Sequence, residues 1–576
     1  VHDLVIRNGN VIDGTGAPAR QVDVAIDGDR IVAVGKAVGR GTREIDARGL
    51  LVTPGFVDFH THYDGQVSWD SFLTPSSLHG CTTVVMGNCG VGFAPAAPDR
   101  HDWLIALMEG VEDIPGAALT EGITWGWESF PEYLDVIDSL PHVIDFGTQI
   151  PHGALRAYVM GERANDQDAT AADIQAMYRI VKEALEVGAL GFSTSRTLLH
   201  KSIDGIPVPG TFAARDELFG IGKALRDTKR GVYGLAIEHL QVPKEMGWME
   251  ELAADTNRPV IFNFTQTDFK PKLYTKLLGM LDEARAKGVP LYGQCAGRAI
   301  GIMMNFAITA HPFARHPSFM ALEGKTYDEK LAVLRDPEFK RRLMDEKPVF
   351  ENPFEALIAK GWGKMFVTDP EMDYEPTPDK SIKAIAKATG RRPQELAYEA
   401  MMADDGKGFL YFPLFNYANG NLDCLHTMHS HPQTRMGLSD GGAHCGAVCD
   451  GGMPTFMLTH WTRDRARGER LPLEYVIQRQ TSQSAHTYGL YDRGVLAPGY
   501  KADVNIIDYD RLTLERPEVV YDLPGGGRRL LQKARGYEYT VCSGTVIREK
   551  DAFTGDLPGR LVRGAQAKPA AQKAVA

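Results

Sequence analysis

Between residues 56 and 490 the chain alternates eight short apolar runs with stretches of helical periodicity, and no other feature restricts its fold as tightly. The runs are "GFVDFHTH", "TTVVMG" (82–87), "HVIDFGTQI" (142–150), "GALGFST" (188–194), "GVYGLAI" (231–237), "RPVIFNF" (258–264), "VPLYGQC" (289–295) and "RMGLSD" (435–440). Helical patterns such as "TAADIQAMYRIVKEALEVG" lie between them. Strands alternating with helices imply a parallel sheet, and eight such units predict an α/β fold closed as a (β/α)8 TIM barrel. The block at about 310–400, with "YDEKLAVLRDPEFKRRLMDEK", holds no barrel strand and is read as a helical insertion after the seventh strand, a lid or an oligomer contact.

The two ends of the chain share another grammar. "DLVIRNGNVIDG" and "QVDVAIDGDRIVAVG" at the start, and "GVLAPGYKADVNIIDYDRLTL" and "YEYTVCSGTVIREKD" near the finish, are β-branched runs broken by turn residues. Residues 1–55 and 491–550 are therefore expected to build one composite β-sandwich into which the barrel, 56–490, is inserted. Residues 551–576 are expected to be a C-terminal tail, its "GAQAKPAAQKAVA" floppy for want of an apolar face.

A length of 576 residues calls for more than one structural unit. The net charge of −11 comes without a long basic run, which argues against nucleic acid or an anionic membrane and leaves small molecules as the expected partners. No apolar stretch reaches membrane-spanning length, and the start lacks the grammar of a signal peptide, although Val1 in place of Met leaves open a leader removed upstream. Seven scattered cysteines, an odd number, suit reduced thiols and a cytoplasmic location. Oligomeric state is not legible, so a homo-oligomer stays open.

In such barrels the chemistry sits at the carboxyl ends of the strands. There the chain carries His60 and His62, two apart and hence on one side of a strand. It also carries Cys89 in "MGNCG", Asp440 with His444 in "LSDGGAH", Ser195 in "STSR" and His152 in "PHG"; Ser195, His444 and His152 are candidate substrate contacts, His152 equally a hydrogen-bonded structural histidine. Two imidazoles, a thiolate and a carboxylate form a ligand set that suits Zn2+. Asp440 is the candidate general base and then acid toward a water that the metal activates. The histidine-dense "HTMHSHP" (426–432) precedes the eighth strand and reads as a solvated loop.

Together, "PGFVDFHTHYDG", "GCTTVVMGNCGVGFAP", "GALGFSTS", "GLSDGGAH" and "DRGVLAPGYKADVNIID" resemble the metal-dependent amidohydrolase superfamily. "GNCG" and the chain length look like its N-acyl-D-amino-acid deacylase branch. The resemblance implies that His60, His62 and Cys89 bind metal and that Asp440 is the catalytic aspartate. It also implies one histidine at the end of the fifth strand and one at the end of the sixth. This chain reads "YGLAIEHLQ" and "VIFNFTQTD" at those places, with His239 about three residues late and Phe264 in place of an imidazole. One ion rather than two is therefore expected, with His239 either recruited by a bulge or a histidine outside the coordination sphere. The family's carboxylate-binding Tyr and Lys are absent as well, and Arg298 in "GQCAGRAIG" is either their replacement or an arginine packed against the insertion. The expected activity is zinc-dependent hydrolysis of an amide bond in N-acyl amino acids, D-configured by resemblance. A lyase or decarboxylase on the same fold and a non-catalytic scaffold are the alternatives.

Overall fold

The eight runs become strands whose residues are almost all buried, as expected for a parallel sheet covered on both faces. The structure is a computed structural model that describes residues 1–570 apart from Leu240 and Asp369. In chain order the strands are Phe56–Asp58, Cys81–Met86, Asp145–Thr148 with its continuation Ile150–Pro151, Gly191–Ser195, Val232–Ala236, Val260–Asn263, Leu291–Cys295 and Thr434–Met436. Each pairs in parallel with the next. A parallel bridge between Thr61 and Gly441 joins the segment after the first strand to the segment after the last, so the pairings run round a ring.

The segment after the seventh strand corrects the expectation of a purely helical insertion. It opens and closes on a small antiparallel sheet, in which Gly301–Met304 and Phe366–Val367 both pair with Leu410–Pro413. Helices including Tyr327–Leu334, Pro337–Asp345 and Pro393–Gly406 lie between these strands, and a separate apolar cluster containing Phe306, Phe313, Leu334, Leu343 and Met401 holds them together. Strands of four residues or fewer carry too short a pattern to be read as alternation. The histidine-dense segment is also not a solvated loop. It forms the helix Asp423–His429, with His429 buried and its Nε2 2.9 Å from the Ala296 carbonyl.

The chain ends meet in one nine-stranded sheet. Leu51–Pro54 pairs antiparallel with Val504–Ile507, which pairs in turn with Tyr537–Cys542. Val11, Val24, Val52, Val504, Ile506 and Val541 share a core on this sheet. The tail departs from expectation too. Val562 N donates to Phe146 O (2.7 Å), Gly564 N to Gly188 O (2.8 Å) and Gln566 N to Gly489 O (2.9 Å), strapping residues 559–566 along the ring. Residues 571–576 of the expected floppy segment lie outside the described residues. All seven cysteines are unpaired, and no described helix is long and apolar enough to cross a membrane.

One buried carboxylate ties these parts together. Asp145, at the start of the third ring strand, accepts from Arg493 Nη1 (2.8 Å), from Lys501 Nζ and from the backbone N of Arg560 (3.0 Å). Burial alone would raise its pKa, but the charges of Lys501 and Arg493 prevail and hold it below the ordinary 3.8. Asp145→Asn leaves two cations short of a partner, so we expect a loss of about 3 kcal/mol in urea unfolding at neutral pH. A carboxylate whose folded pKa is depressed stabilises above its unfolded value and loses that contribution on acidification. The stability curves of the wild type and the Asp145→Asn variant should therefore converge below about pH 4; a constant offset across pH would contradict the assignment.

Candidate metal centre

The Thr61–Gly441 bridge is also what assembles the site. His62 N donates to Gly441 O (2.8 Å) and Asp440 N to His60 O (3.1 Å), so the aspartate is pinned by backbone beside both histidines. Cys89 arrives from the second strand through the turn "GNCG". Asn88 closes that turn by donating its amide to the carbonyls of Phe59, Thr61 and Val85 at 3.3, 3.1 and 3.0 Å. Cys89 itself adopts φ +55°, flanked by Gly87 at +77° and Gly90 at +72°. A Cβ on Gly87 would fall 2.2 Å from Gln149 O, and one on Gly90 would fall 2.8 Å from Ser195 N, so both positions need glycine.

His60 Nε2 lies 3.4 Å from Cys89 Sγ and 3.3 Å from Asp440 Oδ1, and His62 Nε2 lies 3.7 Å from the same oxygen. One donor atom each from His60, His62 and Cys89 falls within 4.8 Å of the others. Tetrahedral zinc with bonds of 2.0–2.3 Å puts its donors about 3.3–3.8 Å apart, so the spacing fits that ion. Both imidazoles are held from outside the cluster. His60 Nδ1 meets Gln294 Oε1 at 2.9 Å, and His62 Nδ1 stands 3.2 Å from Glu112 Oε1, at ion-pair distance without hydrogen-bond alignment. Each ring thus turns Nε2 inward.

The electrostatics of this pocket call for positive charge. Burial pushes the Cys89 thiol up to about 11, so a neighbouring cation is needed to make it a thiolate at neutral pH. Burial likewise drives the His60 imidazole down to about 4, which leaves Nε2 as a lone-pair donor. At Asp440 burial works toward the neutral acid, but the His62, His60 and His444 imidazoles that surround it outweigh burial and keep the carboxyl well below its usual range. At His62 burial is outweighed by the Glu112 and Asp440 carboxylates, which favour a cation at or on the ring.

Residues 43–548 match the model of the amidohydrolase family. The chain belongs to the amidohydrolase family. It is a hydrolase of C–N bonds, similar over its length to the D-aminoacylase branch. D-aminoacylase of Alcaligenes xylosoxydans xylosoxydans is 24% identical over 97% of each chain. Two solved structures share the fold with a TM-score of 0.65 and 23% identity. One is the N-acyl-D-glutamate deacylase of Bordetella bronchiseptica complexed with zinc and a phosphonate inhibitor, covering 98% of this chain and 99% of that one. The other is a D-aminoacylase described in terms of one-metal activation and second-metal attenuation, covering 98% and 100%.

Around this amidohydrolase's cluster, several residues fall elsewhere than expected. His152 does not face a substrate: Thr194 Oγ1 (2.8 Å) and Glu217 Oε1 (2.9 Å) occupy its two nitrogens in a closed interior. Arg298 is not a free carboxylate contact either. It donates to Cys449 O and, at 3.2 Å, to Asp450 Oδ1, with its guanidinium 3.6 Å over the Tyr374 ring, all buried. His239 meets Thr265 Oγ1 (2.9 Å) and Asn263 Nδ2 (3.4 Å), outside the one donor cluster found among the described residues. Ser195 Oγ holds His200 Nδ1 at 3.0 Å, an imidazole that the sequence reading passed over. Burial drives His200 down to about 3, helped by the charges of His444 and His62, which places it among the neutral hydrogen-bonding groups of the mouth.

Glu112 was missed as well. It ends the helix His101–Glu112, is 1% exposed, and lies 3.2 Å from His62 Nδ1 and 3.5 Å from His444 Nε2. Its carbonyl accepts the backbone N of His444, so one residue orients both imidazoles. Carboxylates that brace metal-binding histidines typically contribute a factor of about 10–100 in metal affinity. Glu112→Gln should weaken zinc binding by that factor in competition with a chromogenic chelator; unchanged affinity would remove Glu112 from the site.

Proposed function

We propose that the ring of parallel pairings is a closed (β/α)8 barrel inserted into a composite β-domain made by both chain ends. We further propose that its mouth hydrolyses N-acyl amino acids with one Zn2+ held by His60, His62, Cys89 and Asp440. The observation that carries this reading is the convergence of two imidazoles, a thiol and a depressed carboxylate from the ends of the first, second and eighth strands. A zinc ion there supplies Lewis acidity toward the amide oxygen and lowers the pKa of water. The relatives' names support the substrate class and its D configuration.

Asp440, ionised and beside both Nε2 atoms, accepts a proton from water as the new C–O bond forms. It returns that proton to the nitrogen as the C–N bond breaks. The products are a carboxylic acid bearing the water oxygen and a free amine. Glu112 and Gln294 fix the two rings during this exchange, while His200 and His444 stand by as donors toward the amide oxygen. With the fifth- and sixth-strand positions lacking imidazole ligands, a single ion is the simpler fit to the donors present.

Metal removal tests the reading. Purified protein stripped with a chelator should lose turnover of N-acetyl-D-amino acids and regain it with one equivalent of zinc. In 18O-labelled water one label should enter acetate; turnover without label would point to a lyase. Asp440→Asn should lower kcat by about 10²–10⁴-fold. An undiminished kcat would take the proton transfer away from Asp440.

A further inference from the structure

Five of the most exposed large apolar side chains fall within fifteen residues, in the loop that follows the fourth strand: Leu198 and Leu199 (each 47% exposed), Ile203 (57%), Ile206 (42%) and Phe212 (65%). Water-facing apolar groups this dense mark a surface that something apolar covers. The loop is not slack. Leu198 N donates to Glu238 Oε2 (3.1 Å), Leu199 N to Thr197 Oγ1 (3.2 Å), and Val208 N to His200 O (3.2 Å). Lys201 bridges antiparallel to Pro207, which makes the segment a narrow flap. It lies across the helix that ends in Glu112: Ile203 N donates to Ala106 O (3.3 Å), and a Cβ on Gly110 would sit 2.3 Å from the Ser202 carbonyl carbon.

The base of the flap reaches the centre itself. His200 is fixed to Ser195 at the strand's end (3.0 Å), and Ser195 lies against the "GNCG" turn, where a Cβ on Gly90, next to Cys89, would fall 2.8 Å from Ser195 N. Leu198 and Leu199 therefore directly precede an imidazole of the mouth while their own side chains face solvent. Glu238, which holds Leu198 N, precedes His239, and Phe415 packs over His239 with ring centres 4.7 Å apart. The net charge of −11 disfavours an anionic lipid surface as the occupant.

We propose that this flap binds the acyl chain of the substrate, so that the preferred substrates are amides of medium-chain fatty acids rather than of acetate. The inference rests on the amide-hydrolase reading above and names the acyl side of its substrate. A methylene buried completely improves binding about fourfold, and one covered on a single face about twofold.

The test is an N-acyl series from acetyl to decanoyl on one D-amino acid with the zinc-loaded protein, alongside calorimetric binding of acetate, hexanoate and decanoate. The expected result is a kcat/KM that rises about twofold per methylene, with carboxylate affinity rising in parallel. The double substitution Leu198→Ser, Leu199→Ser should collapse the decanoyl-to-acetyl ratio at least tenfold. Gly110→Val, whose Cβ would run into the flap backbone at Lys201, Ser202 and Ile203, should collapse it as well. A flat series, or a ratio that survives these substitutions, overturns the proposal. So does a finding that they abolish self-association or binding to neutral phosphatidylcholine vesicles while the series stays flat. Chain-length-dependent binding of the free carboxylates with no turnover of any member would support the flap's role and count against the hydrolytic reading instead.

Discussion

The parallel contact between Thr61 and Gly441 is the constraint on which the rest of the site depends. A ring of parallel strands must close somewhere, and here it closes one residue from each of His60, His62 and Asp440. The backbone bonds His62 N to Gly441 O and Asp440 N to His60 O do two things together: they complete the ring, and they bring a carboxylate within 3.3–3.7 Å of two imidazoles that lie nearly 380 residues earlier in the chain. Side chains alone would hold such a cluster against its own desolvation only with difficulty. Main-chain pairing removes most of that difficulty, since the donors are delivered to one point by the same bonds that close the sheet.

A second constraint fixes the ring to its surroundings. Asp145 joins the third strand to Arg493 and Lys501 of the returning chain and to Arg560 of the tail. Arg493 and Lys501 lie just before the strand Val504–Ile507, so this buried charge cluster joins the ring strands to the sheet that both chain ends build. The same logic, a carboxylate facing two cationic or ionisable groups, recurs at Glu112 between His62 and His444. In one place it sets architecture, in the other the orientation of a ligand.

Much of this was legible because it follows short-range rules. The eight strands announce themselves as short apolar runs between helical stretches, the His60–His62 spacing gives a shared face, and "GNCG" declares a tight turn around Cys89. Glu112 did not declare itself, since "MEGVED" reads as a wet helix end. A signal was present nonetheless: Leu104, Met108 and Glu112 are spaced by four, so the acid falls on the helix's buried stripe. His200 lay five residues past its strand, beyond the position where strand ends are inspected. For Arg298 and His152 the sequence left a substrate contact and a structural role open, and the structure takes the structural one. Asp450 and Glu217, which occupy them, are 152 and 65 residues away, and such pairing leaves no local pattern. The strapped tail escaped for the same cause: its bonds are backbone to backbone, and composition does not report them.

X-ray absorption at the zinc edge, together with anomalous diffraction, reads the central claim most directly. The expected result is a single zinc ion bound by one sulfur and by nitrogen and oxygen donors, with its anomalous peak between His60, His62, Cys89 and Asp440. A coordination shell without sulfur, or a peak away from those four side chains, would contradict it.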